Sequence, residues 1–231
     1  MLLPVSRIAA GLLLIGMTTP GGAQSRLSTS SQAIARANAL TRLQTVSRGI
    51  DAVLVKVKED VTPFLGEGNE GKPAWRVTYS NASLPADTFR RTFQVMLDAA
   101  GGRLLFITST SEGRPAANMR PMASYRVATK ELREDGELYA GYPDADPKVD
   151  FLAALQDILQ VGKSREMHAA YVMQRRLESK ARPVWAITLR GLPPFAAHGP
   201  NPKGVAAEQR TSMRNVVDAA TGKVLFATNV P

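Results

Sequence analysis

Cysteine is absent from the 231 residues, and histidine and tryptophan occur only twice each. Without thiols there is no disulfide scaffold, thiolate zinc site, iron–sulfur cluster or cysteine nucleophile. Two histidines, His168 and His198, are too few for a histidine-rich metal centre, and neither stands in a His-Glu-x-x-His pattern. A Gly-x-Ser-x-Gly elbow and a phosphate-binding glycine loop are missing too. The acidic pairs Glu59-Asp60 and Glu134-Asp135 read as solvated turn residues. The sequence therefore leads to the expectation of no catalytic residue, no metal and no cofactor, and the chain is read as a non-enzyme.

Long apolar runs are also scarce, with one informative exception near the start. Arg7, the apolar stretch over 8–17 and the small residues Gly21, Gly22 and Ala23 have the layout of an export signal, with cleavage expected after Ala23. Ten apolar residues reach about 15 Å as a helix, half a hydrocarbon core, which disfavours a membrane anchor. The expected product is periplasmic or secreted, with no transmembrane segment. An exported chain without disulfides fits a bacterial envelope, and the Asn81-Ala82-Ser83 sequon is read as chance.

What is present in quantity is apolar and basic. A hydrophobic fraction of 44% is enough to fill a core, and 29 Lys+Arg against 20 Asp+Glu leave a formal charge of +9. Lys56, Lys58, Arg90, Arg91, Arg175 and Arg176 are the candidates for a basic partner-binding face, which would suit a polyanion. The charge is nevertheless spread rather than blocked, and no aromatic-interleaved motif accompanies it, so nucleic acid is not expected.

The strongest signal is internal similarity. Segment 98–108, DAAGGRLLFIT, lies over 218–228, DAATGKVLFAT, with seven of eleven positions identical. Upstream, PAWRVT at 73–78 lies over PVWAIT at 183–188. The offset grows from 110 to 120 between the two matches, which places ten extra residues in the Pro/Gly-rich stretch 191–209.

Each copy parses into a helix and four strands. In the second, Asp146 is placed to cap a helix with Pro147 at its first position; Phe151, Leu152, Leu155, Ile158 and Leu159 form its stripe, and Gly162 ends it. In the first, residues 31–47 carry Ile34, Leu40, Leu43 and Val46. Strand alternation follows: Val53, Val55 and Val57 on one face, with the counterpart strand over 170–177. Trp75, Val77 and Tyr79 match Trp185, Ile187 and Leu189; Phe93, Val95 and Leu97 match Met213, Asn215 and Val217. The last strands cover 103–108 and 223–228. Between the final two strands of each copy, Asp98 and Asp218 can accept turn amides, and Gly102 and Gly222 can take positive φ. The two tryptophans, at matched strand positions, read as core.

A helix, an extended segment, a Trp-x-[Val/Ile] strand and a closing Asp-Ala-x-x-Gly-[Arg/Lys] hairpin resemble the PepSY domain, once through Trp75, Asp98 and Gly102 and again through Trp185, Asp218 and Gly222. The expected fold class is α+β, two repeated units, each a helix packed on a four-stranded antiparallel sheet. The expected division is a signal peptide over 1–23, a first unit over 24–110, a connecting segment over 111–145 and a second unit over 146–231. Within the connecting segment a short helix is expected over 124–134, and Tyr139 and Tyr142 are candidates for an interface or groove. The resemblance implies a non-catalytic, exported interaction module whose partner is another exported protein, a peptidase being the most concrete form. No peptidase domain is expected after Pro231, so the expected action is on a separate chain. The alternative is a binding module for an anionic envelope polymer or a small ligand.

Overall fold

The computed structural model describes residues 26–57, 71–84, 87, 89–112, 139–176, 179–193 and 211–230. They form one antiparallel sheet backed by two helices. The strands are β1 (Gly49–Lys56), β2 (Pro73–Ala82), β3 (Arg90–Asp98), β4 (Leu104–Glu112), β5 (Tyr139–Gly141), β6 (Glu166–Arg176), β7 (Ser179–Leu192), β8 (Thr211–Asp218) and β9 (Val224–Val230). Their order is β1-β2-β3-β4-β6-β7-β8-β9, and β5 adds to β6 alone.

The sequence left open whether the two expected four-stranded units share a sheet; in the structure their strands form one continuous sheet rather than two helix-on-sheet units. Strand β4 runs on to Glu112 and pairs with β6, setting Ile107 opposite Ala169 and Thr110 opposite Glu166. Each half thereby hides one sheet edge, whose unpaired amides and carbonyls would otherwise face water. The counterpart strand also starts at Glu166, ahead of the expected 170, because β6 must reach β4.

Helix α1 (Ser30–Thr41) begins at a capping box in which Thr29 and Gln32 satisfy each other's backbone amides. It stops at Arg42, in the left-handed region at φ 54°, short of the expected 47; Leu43–Thr45 form one 3₁₀ turn. Its buried face is Ala33, Ala37, Leu40 and Thr41. Ala33 and Ala37 are small, so the helix axis can lie close to the sheet there.

The second helix departs further from expectation. Only α2 (Phe151–Ala154) is α-helical, capped by Asp150, whose carboxylate accepts from the Ala153 amide at 2.9 Å. The cap expected at Asp146 does not form, because that carboxylate takes Arg36 Nη1 and Nη2 at 2.5 and 2.6 Å. Residues ahead of the helix are held by the sheet, with Val149 donating to the Ala219 carbonyl at 2.9 Å. After Leu155 the chain turns away, leaving Leu159 97% exposed rather than in the stripe, and Gly162 lies inside a 3₁₀ turn, Val161–Lys163.

Both helices cover one face of the sheet. Trp75, Val77, Tyr79, Phe93, Val95 and Leu97 from the first half join Phe151, Trp185, Ile187 and Leu189 from the second in one apolar cluster. Phe151 stands edge-on to Phe93 at 6.1 Å and tilts on Trp185 at 5.6 Å, so aromatic packing crosses the junction of the halves. The opposite face carries two smaller clusters, around Val57, Met96 and Phe106 and around Val172, Val184 and Val216; Tyr142 packs against both.

The matched motif residues occupy matched places. Trp75 Nε1 donates to the Leu27 carbonyl at 3.0 Å, and Trp185 Nε1 to the Val149 carbonyl at 2.9 Å. Asp98 accepts from the Ala100 and Gly101 amides, and Asp218 from those of Ala220 and Thr221. Irregularities recur as well. Register shifts fall between Met96 and Leu97 and between Val216 and Val217. Others fall beside Asn81 and Gly191, both at positive φ, 53° and 65°.

Gly102 and Gly222 have φ +66° and +78°. Replacing either by Val is expected to destabilise the fold by about 1–3 kcal/mol, since a β-branched residue is strained there. The cost should be larger at 102. A Cβ there would stand 3.3 Å from Leu27 Cδ1 and 3.4 Å from Arg36 Cγ, whereas at 222 it meets Val149 at 3.5 Å. Unchanged denaturant midpoints in both variants would refute these turns.

Candidate binding surfaces

Within the described residues the sheet is open at both ends. Among the described residues, β1 pairs only with β2 and β9 only with β8, so each presents an outer row of backbone donors and acceptors. Apolar side chains concentrate on the same strands. Six large hydrophobic side chains stand exposed among the described residues, and four are on these two edges: Val53 (41%), Leu54 (53%), Val224 (36%) and Phe226 (38%). Strand β9, VLFATNV, carries no charge and no proline, the devices that blunt an edge.

A second feature is a cavity between the segment that follows β5, strand β6 and the turn after β8. It measures about 330 Å³ and is lined by Tyr142, Pro143, Asp146, Lys148, Tyr171 and Pro183 among others. Arg103 lies over the Tyr142 ring at 4.4 Å. Tyr171 donates its hydroxyl to the Ala145 carbonyl at 3.0 Å; burial, reinforced by Asp146, pushes its pKa up to about 12. Tyr142, a candidate groove residue from the sequence, thus takes part in this site, while the side chain of Tyr139 and the helix expected over 124–134 lie outside what is described.

The six basic candidates are not brought together. Lys56 ends β1 beside Pro73, at the Asp98 end of the sheet, whereas Arg90 opens β3 at the opposite end. Arg175 is exposed on β6, and Lys58 and the Arg176 side chain lie outside the described residues. Arg91 is a correction: it is fully buried and serves no surface. Its Nε meets Asp87 Oδ2 at 2.5 Å, and its Nη2 reaches the carbonyls of Val161 at 2.8 Å and Ser164 at 2.6 Å. Residues of the two halves are thereby fastened by one guanidinium, whose fork suits several fixed acceptors.

His168 is also corrected, from a residue ahead of its strand to a buried member of β6. Register places Asp51, Thr78, Gln94, Thr108, His168, Thr188, Arg214 and Thr228 in one polar row across the face away from α1. Phe106 stacks on the imidazole at 6.2 Å, and Arg214 Nε donates to Thr188 Oγ1 at 3.3 Å. Burial, with Arg190 and Arg214 adding positive charge, lowers the His168 pKa to about 3. The imidazole is therefore neutral in the fold.

That carries a sign for stability. The unfolded chain protonates His168 near pH 6.5 and the folded chain only near 3, so stability falls as pH drops through this window. The limiting slope is about 1.4 kcal/mol per pH unit. A His168→Gln variant is expected to flatten the loss between pH 6.5 and 5, above most carboxylate titration, in denaturant midpoints measured against pH. Equal slopes for both proteins would contradict a neutral buried imidazole.

The sequence reading missed Arg91–Asp87 as a buried pair and the exposed edge residues Leu54 and Phe226. An uncharged terminal strand was the available signal for the second. Among the described residues, no three His, Cys, Asp or Glu side chains gather to hold a metal ion, and no helix is long and apolar enough to cross a membrane. The export signal, His198 and most of 191–209 and of 111–145 lie outside the described residues.

No protein-family model matches the chain, and no curated protein does. Among solved structures, it is similar to the Bacillus megaterium YpeB C-terminal domain, at 9% identity and a TM-score of 0.25, over 90% of this chain and 100% of that one.

Proposed function

We propose that the chain is an exported, non-catalytic protein-binding module of two PepSY-like units, acting on a separate exported protein, with modulation or inhibition of a peptidase its most concrete form. The observation that carries this reading is the pair of open sheet edges on which exposed apolar side chains are concentrated. An extended segment of a partner can add to such an edge, taking affinity from main-chain hydrogen bonds and specificity from alternate side chains. The recurrence of the tryptophan bonds, turn amides and register shifts supports two copies of one unit. The sealed, neutral His168 supports a role without acid–base chemistry.

Leu54→Lys on β1 and Phe226→Lys on β9 place a charge where a partner strand would lie. The pair is expected to abolish co-purification of a secreted peptidase and to relieve any inhibition of it, with the circular dichroism spectrum unchanged. Undiminished retention by the double variant would count against edge binding. The second reading, a small-ligand or anionic-polymer binder, has the Tyr142–Tyr171 cavity in its favour. Retention on a polyanion that falls steeply between about 50 and 200 mM salt would favour it. A catalytic turnover lost on changing His168 and His198 together to Ala would sink both.

A further inference from the structure

The junction between the halves of the sheet is itself a template. Strand β4, last of the first half, pairs antiparallel with β6, first of the second. By the sequence match, β9 is the counterpart of β4; by its pairing to the tryptophan strand, β1 is the counterpart of β6. Among the described residues the sheet thus ends in a β4-like edge and a β6-like edge, each without the neighbour that its counterpart has. We propose that β9 of one copy pairs with β1 of a second, repeating the internal junction between molecules.

The register follows without adjustment. Ile107 opposite Ala169 translates to Ala227 opposite Ala52 of the second copy, and Thr108 opposite His168 translates to Thr228 opposite Asp51. One step further, exposed Phe226 falls opposite exposed Val53. Beyond it, across the register shift in β9, Val224 comes beside Leu54. All four exposed apolar edge residues are then neighbours across one joint, where burial is favourable. The polar row that starts at Asp51 and ends at Thr228 also continues from one molecule into the next.

The joint is heterologous, because different edges meet, and it leaves one free edge at each end of any assembly. Association is therefore stepwise and open-ended, and a terminal edge remains for a different partner. It is also weaker than the internal junction. Thr211, the position matching Arg91, offers no guanidinium, so the outer joint lacks that clamp. The charge of +9 opposes self-association, so screening by salt should strengthen it, opposite to the behaviour of a polyanion contact.

The proposal rests on the reading of the chain as two copies of one unit, and the test separates the two. The absence of native cysteine makes disulfide trapping clean. Asp51→Cys mixed with Thr228→Cys is expected to give a covalent dimer under mild oxidation. Each variant alone should give none, and one chain carrying both should give a ladder. Thr110→Cys with Glu166→Cys in one chain is the control for the internal junction. If the control links within the chain and the mixed edge variants do not link, self-pairing is wrong and the two-unit sheet stands. If the control fails, the two-unit sheet falls as well. A dimer from Asp51→Cys alone or Thr228→Cys alone would mean like edges meeting, and would overturn the proposal. So would sedimentation of the unmodified chain as a strict monomer at concentrations on the order of 100 μM, where an association of micromolar strength would be populated.

Discussion

Changing Arg91 to Met should destabilise the fold by about 3–5 kcal/mol, the cost of leaving a buried charge without its partner. The side chains of Arg91 and Asp87 are both inaccessible to solvent, so removing the guanidinium strands a carboxylate in the interior. The Ser164 carbonyl loses the guanidinium at the same time, and the Val161 carbonyl is left with its donors from Ser164 alone. An apolar residue of similar length fills the space but satisfies none of these acceptors. Adding Asp87→Asn to Arg91→Met is expected to recover part of the loss, because the two sites are coupled and the stranded charge is gone. Urea denaturation of the three variants checks this. A single-variant loss below about 1 kcal/mol would place Arg91 at the surface, with the basic residues among which the sequence had put it.

Trp185→Ala carries a comparable expectation, about 3–5 kcal/mol, from lost transfer energy and the cavity left behind. Trp185 is fully buried, with Phe151 at 5.6 Å on one side and Tyr171 at 5.2 Å on the other, and its N–H holds the segment ahead of α2 through Val149. Trp185→Phe should keep most of the packing and forfeit the hydrogen bond, for about 1 kcal/mol plus the smaller ring's lost contacts. Equal losses in the two variants would mean that the indole N–H, rather than ring burial, dominates.

Strand identity and turn chemistry were legible because they are local. Trp75, Val77 and Tyr79 alternate with polar residues, and Gly102 and Gly222 sit where only a residue tolerant of positive φ fits comfortably. The second helix was misread for a non-local reason. Its periodic apolar residues would suit a helix, but Val149 is drawn into pairing with the Ala219 carbonyl and Asp146 into a bond with Arg36, neither visible within a helical window. Sharing of one sheet was likewise illegible, since four pairs between β4 and β6 join residues about sixty positions apart and no spacing rule announces them. Arg91 next to Arg90 looks like a solvated charge pair; alternation on β3 sends one side chain out and the other in, toward acceptors some seventy residues away. For the candidate binding surface, the sequence placed a strand over 223–228 but not at the edge of the sheet.

The central claim is that the two halves meet edge to edge through β4 and β6, leaving β1 and β9, among the described residues, as the open edges of one sheet. Amide hydrogen exchange at dilute concentration, followed by mass spectrometry on peptides, tests it most directly. The account predicts that peptides covering 107–110 and 166–169 exchange as slowly as the central strands β2, β3, β7 and β8, and that those covering β1 and β9 exchange much faster. Exchange at 107–110 and 166–169 as fast as at β1 and β9 would contradict it.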